Sequence, residues 1–342
     1  MELNKKNKVL QDPLSEKNIL PKFAYTLKFN HWSPTSLMIG DGSFIFKYLF
    51  LTQAQRRMLP ANAQMKAGVA CGDAVQDVLA DVKWKLNSAN KLSPVNHTKL
   101  TKEASLQKAI EKFKEYQPVD EKDQAKKDHY LETIPMTVHQ IFLALEKLVG
   151  DPVSAPTVTC EKHVSVSDPR LLVDIIGRTD FEFGTFPGDS SYHSSTPGSF
   201  LVELKTVWDR FGKQKKDGSY SLIRSKLPSK PSENHLCQCA FYSKFYDYKF
   251  PIYLVYANSD DHEIYDSTNC AGLTKEGLKQ NYNKLVSIAK RRERMLSRYD
   301  NLDRDTIIQN ICADTDPNFS HPYLWNIGPE FLKAAKELWN LQ

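Results

Sequence analysis

None of the six cysteines, at positions 71, 160, 237, 239, 270 and 312, forms a CxxC pair. That absence excludes a zinc ribbon or a thioredoxin-type dithiol, and free thiols in a reducing compartment are the plain reading. No stretch approaches the roughly 18 consecutive apolar residues that a membrane span needs. The first residues also lack the apolar core of a secretory signal, so the expectation is a cytoplasmic protein with no membrane partner. There is no GxxxxGK[ST] phosphate loop, and no ATP is expected as a cofactor. Internal repeats are missing as well.

What is present is the composition of a folded protein. The chain has 342 residues, 41% hydrophobic and 25% charged, enough to bury one large core or two modest ones. Its 46 basic against 41 acidic residues give a net charge of +5, an excess that suits a polyanionic partner without requiring one.

Residues 1–22 are polar and read as a loosely ordered segment, and residues 23–342 as one domain in three portions. The first, 23–150, reads as helical. Ser33-Pro34 marks a helix start, and Asn62 to Leu86 carries Met65, Val69, Val75, Leu79 and Val82 at mixed three- and four-residue steps. Gly68 and Gly72 inside that stretch suggest close packing, and two further helices fall between 101 and 149, split near Pro118. From 151 to 260 the pattern changes to short β-branched and aromatic runs at 158–166, 170–183 and 199–208, read as three strands. A helix from about Glu233 to Tyr248 and an apolar strand at 251–258 follow. The third portion, 261–342, reads as helices. The fold class is therefore α/β, a mixed central sheet flanked by helices with a largely helical N-terminal half.

The chemistry concentrates on the second and third strands. Side chains alternate along a strand, so Glu203 and Lys205 share one face while Val202, Leu204 and Thr206 take the other. An acid and an amine projecting from an apolar strand cost free energy unless a ligand or solvent satisfies them. Asp180 supplies a second carboxylate if its strand pairs with that of Glu203 as a hairpin across the loop 184–198. Two carboxylates suit a hard divalent cation, Mg²⁺ or Mn²⁺, with the backbone carbonyl of Leu204 as a further ligand.

These residues carry a resemblance to the RecB-type and phage-exonuclease branch of the PD-(D/E)XK nuclease superfamily. It runs in order over residues 30–258. Trp32-Ser33-Pro34-Thr35-Ser36-Leu37 is similar to the family's opening serine motif, and Gly72 to Gln76 to its GxxxH helix. Gly177 to Asp180 resembles the G-x-x-D strand, Glu203 to Lys205 the E-x-K strand, and Gln238 with Tyr242 the QxxxY helix. The resemblance implies the nuclease core fold, metal held by Asp180 and Glu203, catalysis by Lys205, and support of the site or substrate by Gln238 and Tyr242. It implies DNA as substrate, a role in recombination, repair or phage DNA metabolism, the host cytoplasm if the chain is phage-encoded, and a single-strand annealing or replication protein as accessory partner.

Two departures matter. Gln76 replaces the motif histidine, a weaker ligand that bears on a second metal and on polarity. Asp41 lies where some relatives place a cluster cysteine, so no iron-sulfur cluster is expected.

Basic residues offer a path for phosphates: Arg210, Lys213, Lys215, Lys216, Arg224 and Lys226 after the third strand, and Arg291 and Arg292 on a late helix. Each feature has a plain counterpart. A Glu-x-Lys can be a surface ion pair, Tyr242 core packing, and the basic stretches solvated faces. Asp174 shares strand parity with Asp180 and is a rival ligand, with an ion pair to Arg170 or Arg178 as its simpler use. His163, His193 and His235 are near in sequence but have no metal-ligand spacing and stay unassigned. The expected activity is a metal-dependent DNA exonuclease; a structure-specific or restriction-like endonuclease of the same fold, or a non-catalytic DNA-binding protein with an impaired site, are the alternatives.

Overall fold

A strand buried on both faces must be covered on both sides, and the 200–206 strand meets that demand with a helical layer on each face. The computed structural model describes residues 20–59, 61–86, 92–152, 157–184, 186, 198–315 and 329–340. Nearly all of the expected loose N-terminal segment, together with His193, lies outside the described residues.

The helices before the sheet are α1 (Lys22–Thr26), α2 (Pro34–Leu37), α3 (Asp41–Phe44) continuing as a π-helical turn Ile45–Phe50, α4 (Gln53–Met58) and α5 (Ala63–Leu79). Strands β1 (Val82–Leu86) and β2 (Leu92–Asn96) form a hairpin, followed by α6 (Lys102–Lys114) and α7 (Glu121–Val149). Then come β3 (Val158–Cys160), β4 (His163–Val166), β5 (Ile175–Arg178), β6 (Phe181–Phe183), β7 (Phe200–Thr206), β8 (Arg210–Gln214), β9 (Tyr220–Ile223), α8 (Glu233–Phe245), β10 (Ile252–Ala257) and β11 (His262–Tyr265). Helices α9 (Lys275–Ser297), α10 (Arg304–Ala313) and α11 (Pro329–Leu338) follow.

The central sheet has seven strands in the order β11-β10-β7-β6-β3-β1-β2. It is mixed: β10/β7 and β3/β1 pair in parallel, and β6 pairs antiparallel with both β7 and β3. Strands β4–β5 and β8–β9 form separate two-stranded ribbons. On one face Val202, Val255, Ala257, Phe181 and Phe183 pack under α5, α6 and α7. On the other, Leu201, Leu254 and Tyr256 pack under α8, α9 and the N-terminal helices.

Several expectations require correction. The stretch 62–86 is not one helix: α5 stops at Leu79 and Val82 opens a strand, so Met65 and Val69, both more than half exposed, were never part of a continuous buried stripe. The first two of the three expected strands each break in two, because Glu161 takes a left-handed backbone (φ 57°) and the chain leaves the β4–β5 ribbon at Thr179-Asp180 to join the main sheet. The basic stretch after β7 is the β8–β9 hairpin rather than a plain loop, and β11 adds a strand to a portion expected to be helical. Gly68 does mark a close approach, since a Cβ there would lie 2.9 Å from the Thr206 hydroxyl, whereas Gly72 faces open space.

Candidate active site

Asp180, Glu203 and Lys205 come together on the α8 face of the sheet. The β6–β7 register pairs Phe181 with Val202, so Asp180 stands opposite Glu203, and its Oδ2 accepts the Leu204 N–H at 2.8 Å. A side-chain oxygen thus stands in for a backbone acceptor at the point where β6 begins, which holds the carboxylate against β7.

Glu203 is fully buried, and its Oε1 accepts a hydrogen bond from the Lys205 ammonium. Its other oxygen, Oε2, is also buried and has no hydrogen-bond partner among the described residues. Burial, with the neighbouring Asp180 carboxylate adding to it and Lys205 opposing, pushes the Glu203 carboxyl up to about 8. Burial alone lowers the Lys205 ammonium, but the Glu203 and Asp180 carboxylates outweigh it and the net shift is upward. Lys205 keeps 23% of its side chain exposed, so the cluster opens to solvent at the lysine.

Helix α8 closes the cluster. Ser232 caps it, and Gln238 donates to the Tyr242 hydroxyl at 2.9 Å, the i,i+4 pairing that places both on one face. Tyr242 is buried, and burial together with Glu203 and Asp180 raises its pKa. The close approach depends on Gly177, where a Cβ would lie 2.7 Å from the Phe241 ring and 3.4 Å from that of Tyr242. A glycine two residues before Thr179 is what allows α8 to lie this near the carboxylates.

Beneath Asp180 lies a second buried charge pair. Lys162 and Glu182 are 3.1 Å apart, and Glu182 Oε1 accepts from Thr179 at 3.1 Å and from the Tyr246 hydroxyl at 2.7 Å. Thr179 also donates its N–H to the Lys162 carbonyl at 3.0 Å, which fixes the backbone next to Asp180.

Other expected site residues lie elsewhere. Gln76 donates to Glu161 Oε1 at 3.1 Å, and no hydrogen bond joins it to Asp180 or Glu203 among the described residues. Asp174 precedes β5 in the ribbon beside Trp32, away from β6–β7, while Arg170 pairs with Asp168 and Arg178 with Glu161. The β8–β9 hairpin and the segment after it present Arg210, Lys213, Lys215, Lys216, Arg224 and Lys226 to solvent, with Arg224 also 3.1 Å from Asp209.

Arg292 is a correction. It is 1% exposed and spends its donors on Asp41 and the Ser36 and Ile39 carbonyls, so it cannot reach a nucleic acid. Arg291 is 65% exposed but is held by Asp41 at 3.0 Å. Sequence reasoning left His235 unassigned; its Nδ1 lies 2.6 Å from the hydroxyl of Tyr256, the register partner of Lys205. The signal available was its i,i+3 and i,i+7 spacing to Gln238 and Tyr242 on the same helix.

Among the described residues no group of three or more His, Cys, Asp or Glu is arranged to hold a metal ion. The donors at this site are two carboxylates, one of them with an orphaned buried oxygen. That set fits a hard divalent cation of the kind that keeps several waters and takes only one or two protein carboxylates. Family models, curated proteins and solved structures yield no match to this chain. No helix among the described residues is long and apolar enough to cross a membrane.

Proposed function

We propose that this chain is a divalent-metal-dependent deoxyribonuclease of the PD-(D/E)XK type, acting on DNA ends. The observation that carries the reading is the orphaned Glu203 Oε2, fully buried beside Asp180 and two strand positions from a lysine that is 23% exposed. An unpartnered buried carboxylate oxygen is costly to the fold, and a cation bound by Glu203 and Asp180 removes that cost. When bound, Mg²⁺ or Mn²⁺ supplies charge neutralisation at the phosphate and lowers the pKa of water. Asp180 is oriented for such a ligand by the Leu204 N–H, and Glu203 must give up its proton to take part. Lys205, kept protonated by Asp180 and Glu203 beside it, holds a positive charge where an attacking water and a phosphoryl oxygen meet. Gln238 and Tyr242 exclude water from one wall and fix α8 over the strands. The exposed cations of the β8–β9 hairpin supply phosphate affinity that reads no sequence.

Incubation of end-labelled linear and covalently closed DNA with Mg²⁺ or Mn²⁺ tests this. Loss of linear DNA with the closed circle spared supports exonuclease action; cutting of the circle assigns an endonuclease. A second reading, a DNA-binding protein with an impaired site, draws on Gln76 being engaged by Glu161 rather than by the carboxylate pair. Binding without cleavage under every metal establishes that reading instead.

A further inference from the structure

His235 occupies the first turn of α8, half-buried, on the face that carries Gln238 and Tyr242. Its Nδ1 lies 2.6 Å from the Tyr256 hydroxyl. Tyr256 is 2% exposed and is the register partner of Lys205 in the parallel β7–β10 pair, so the tyrosine and the lysine stand side by side on the α8 face.

The hydrogen bond to Tyr256 points to one imidazole tautomer. Tyr256 oxygen accepts the Ser232 N–H at 3.3 Å, which leaves the phenol proton free to be donated to His235 Nδ1. A phenol that donates to Nδ1 leaves the neutral ring with its proton on Nε2. Nε2 has no hydrogen-bond partner among the described residues. Burial first, and then the Lys205 ammonium, hold the ring's pKa down to about 4, so at neutral pH it is an uncharged N–H donor beside a lysine. A donor whose tautomer is fixed in advance needs no reorganisation to meet an anion.

We propose that the Nε2–H of His235 binds a non-bridging oxygen of a nucleic-acid phosphodiester seated against Lys205. The identity of that anion rests on the nuclease reading above. The arrangement differs from a second cation: it adds a directed hydrogen bond to the phosphate without adding charge next to Lys205.

The test uses the full chain and a short fluorescently labelled DNA oligonucleotide in EDTA, with affinity read by anisotropy and the His235 Nε2 followed by ¹⁵N NMR. Cleavage is measured separately with Mg²⁺. His235→Ala weakens binding by about tenfold or more, the scale of one hydrogen bond to a charged group. His235→Gln, which keeps an amide donor, recovers most of the loss, and the wild-type Nε2 resonance moves on addition of the oligonucleotide. Tyr256→Phe shifts the unliganded ring's ¹⁵N pattern towards a mixture of tautomers. Wild-type affinity in natively melting His235→Ala overturns the proposal, as does an Nε2 resonance that the oligonucleotide leaves unmoved. If the wild-type protein cleaves nothing under Mg²⁺ or Mn²⁺ but His235→Ala still loses affinity, the nuclease reading falls and the phosphate contact stands.

Discussion

Two of the places where charge is buried in this molecule are built differently. On α9, Arg292 places Nε 2.9 Å from Asp41, donates Nη1 to the Ser36 carbonyl at 2.7 Å, and stacks over the Phe44 ring. Its neighbour Glu293 accepts the Trp32 indole N–H at 3.0 Å and the backbone N–H groups of Leu172 and Val173. Both carboxylate oxygens and the guanidinium have partners, and the network ties α9 to the N-terminal helices and to the segment before β5. At β7, by contrast, Glu203 is buried more completely yet leaves one oxygen unpaired. The α9 network is fully satisfied, whereas the vacant Glu203 acceptor is the feature on which the proposed cation would act.

The sharpest way to break this contrast is to remove each acid or base in turn. Glu203→Gln lowers metal-dependent cleavage by on the order of 10³-fold or more while leaving DNA affinity and melting temperature at or above wild type, because a desolvated carboxyl is removed without vacating its volume. A gel-based cleavage assay beside calorimetry checks it, and a variant that still cuts at the wild-type rate places the hydrolytic centre elsewhere. Arg292→Met does the reverse. It breaks the ion pair to Asp41 and strips the Ser36 and Ile39 carbonyls of their buried donor, costing about 3 kcal/mol of stability, read by urea unfolding, with little change in activity per folded molecule.

Next in size is the response to metal and pH. A cation taken by Asp180 and Glu203 stabilises the fold by roughly 2.7 kcal/mol at a hundredfold excess over its dissociation constant, a shift absent from Glu203→Gln. The two kinds of carboxylate also titrate with opposite sign. Glu203 rises on folding from 4.5 to about 8, so the metal-free fold holds a proton that the unfolded chain has lost. Its stability therefore falls as pH climbs through that interval. Asp168, bonded by Arg170 at 2.7–2.9 Å, is held down to about 2 from 3.8; its contribution is complete above 3.8 and disappears as pH falls through 2. Melting curves of wild type and Glu203→Gln across both windows separate the two groups, and Mg²⁺ flattens only the upper slope.

The smallest effect belongs to the β8–β9 hairpin. Lys215→Ala and Lys216→Ala each reduce the slope of log affinity against log salt by about one unit without altering the cleavage rate at saturating DNA. An unchanged slope in the double variant moves the phosphate path off this hairpin.

Much of the site was legible because strand alternation is a local rule. Glu203 and Lys205 had to share a face, and pairing of the Asp180 and Glu203 strands followed from a connection short enough to fold back. The helix from Glu233 was legible from its Ser232 cap and preceding proline. The broken strands were not, since Glu161's left-handed backbone and the exchange of partners at Asp180 answer to neighbours distant in sequence. Arg292 looked like one of a run of exposed cations, and nothing local distinguishes it from Arg291; only the packing of α9 against Asp41 and Phe44 buries one and leaves the other exposed.

The sequence by itself determined the α/β class and which residue types share a strand or helix face, because periodicity and turn chemistry act over a few residues. Tertiary structure alone decided the order of the seven strands, the burial of Glu203 with one oxygen left over, the seat of Gln76 on Glu161, and the meeting of His235 with Tyr256 beside Lys205. Those features depend on which surfaces exclude water together, and that is a property of the assembled layers rather than of any segment within them.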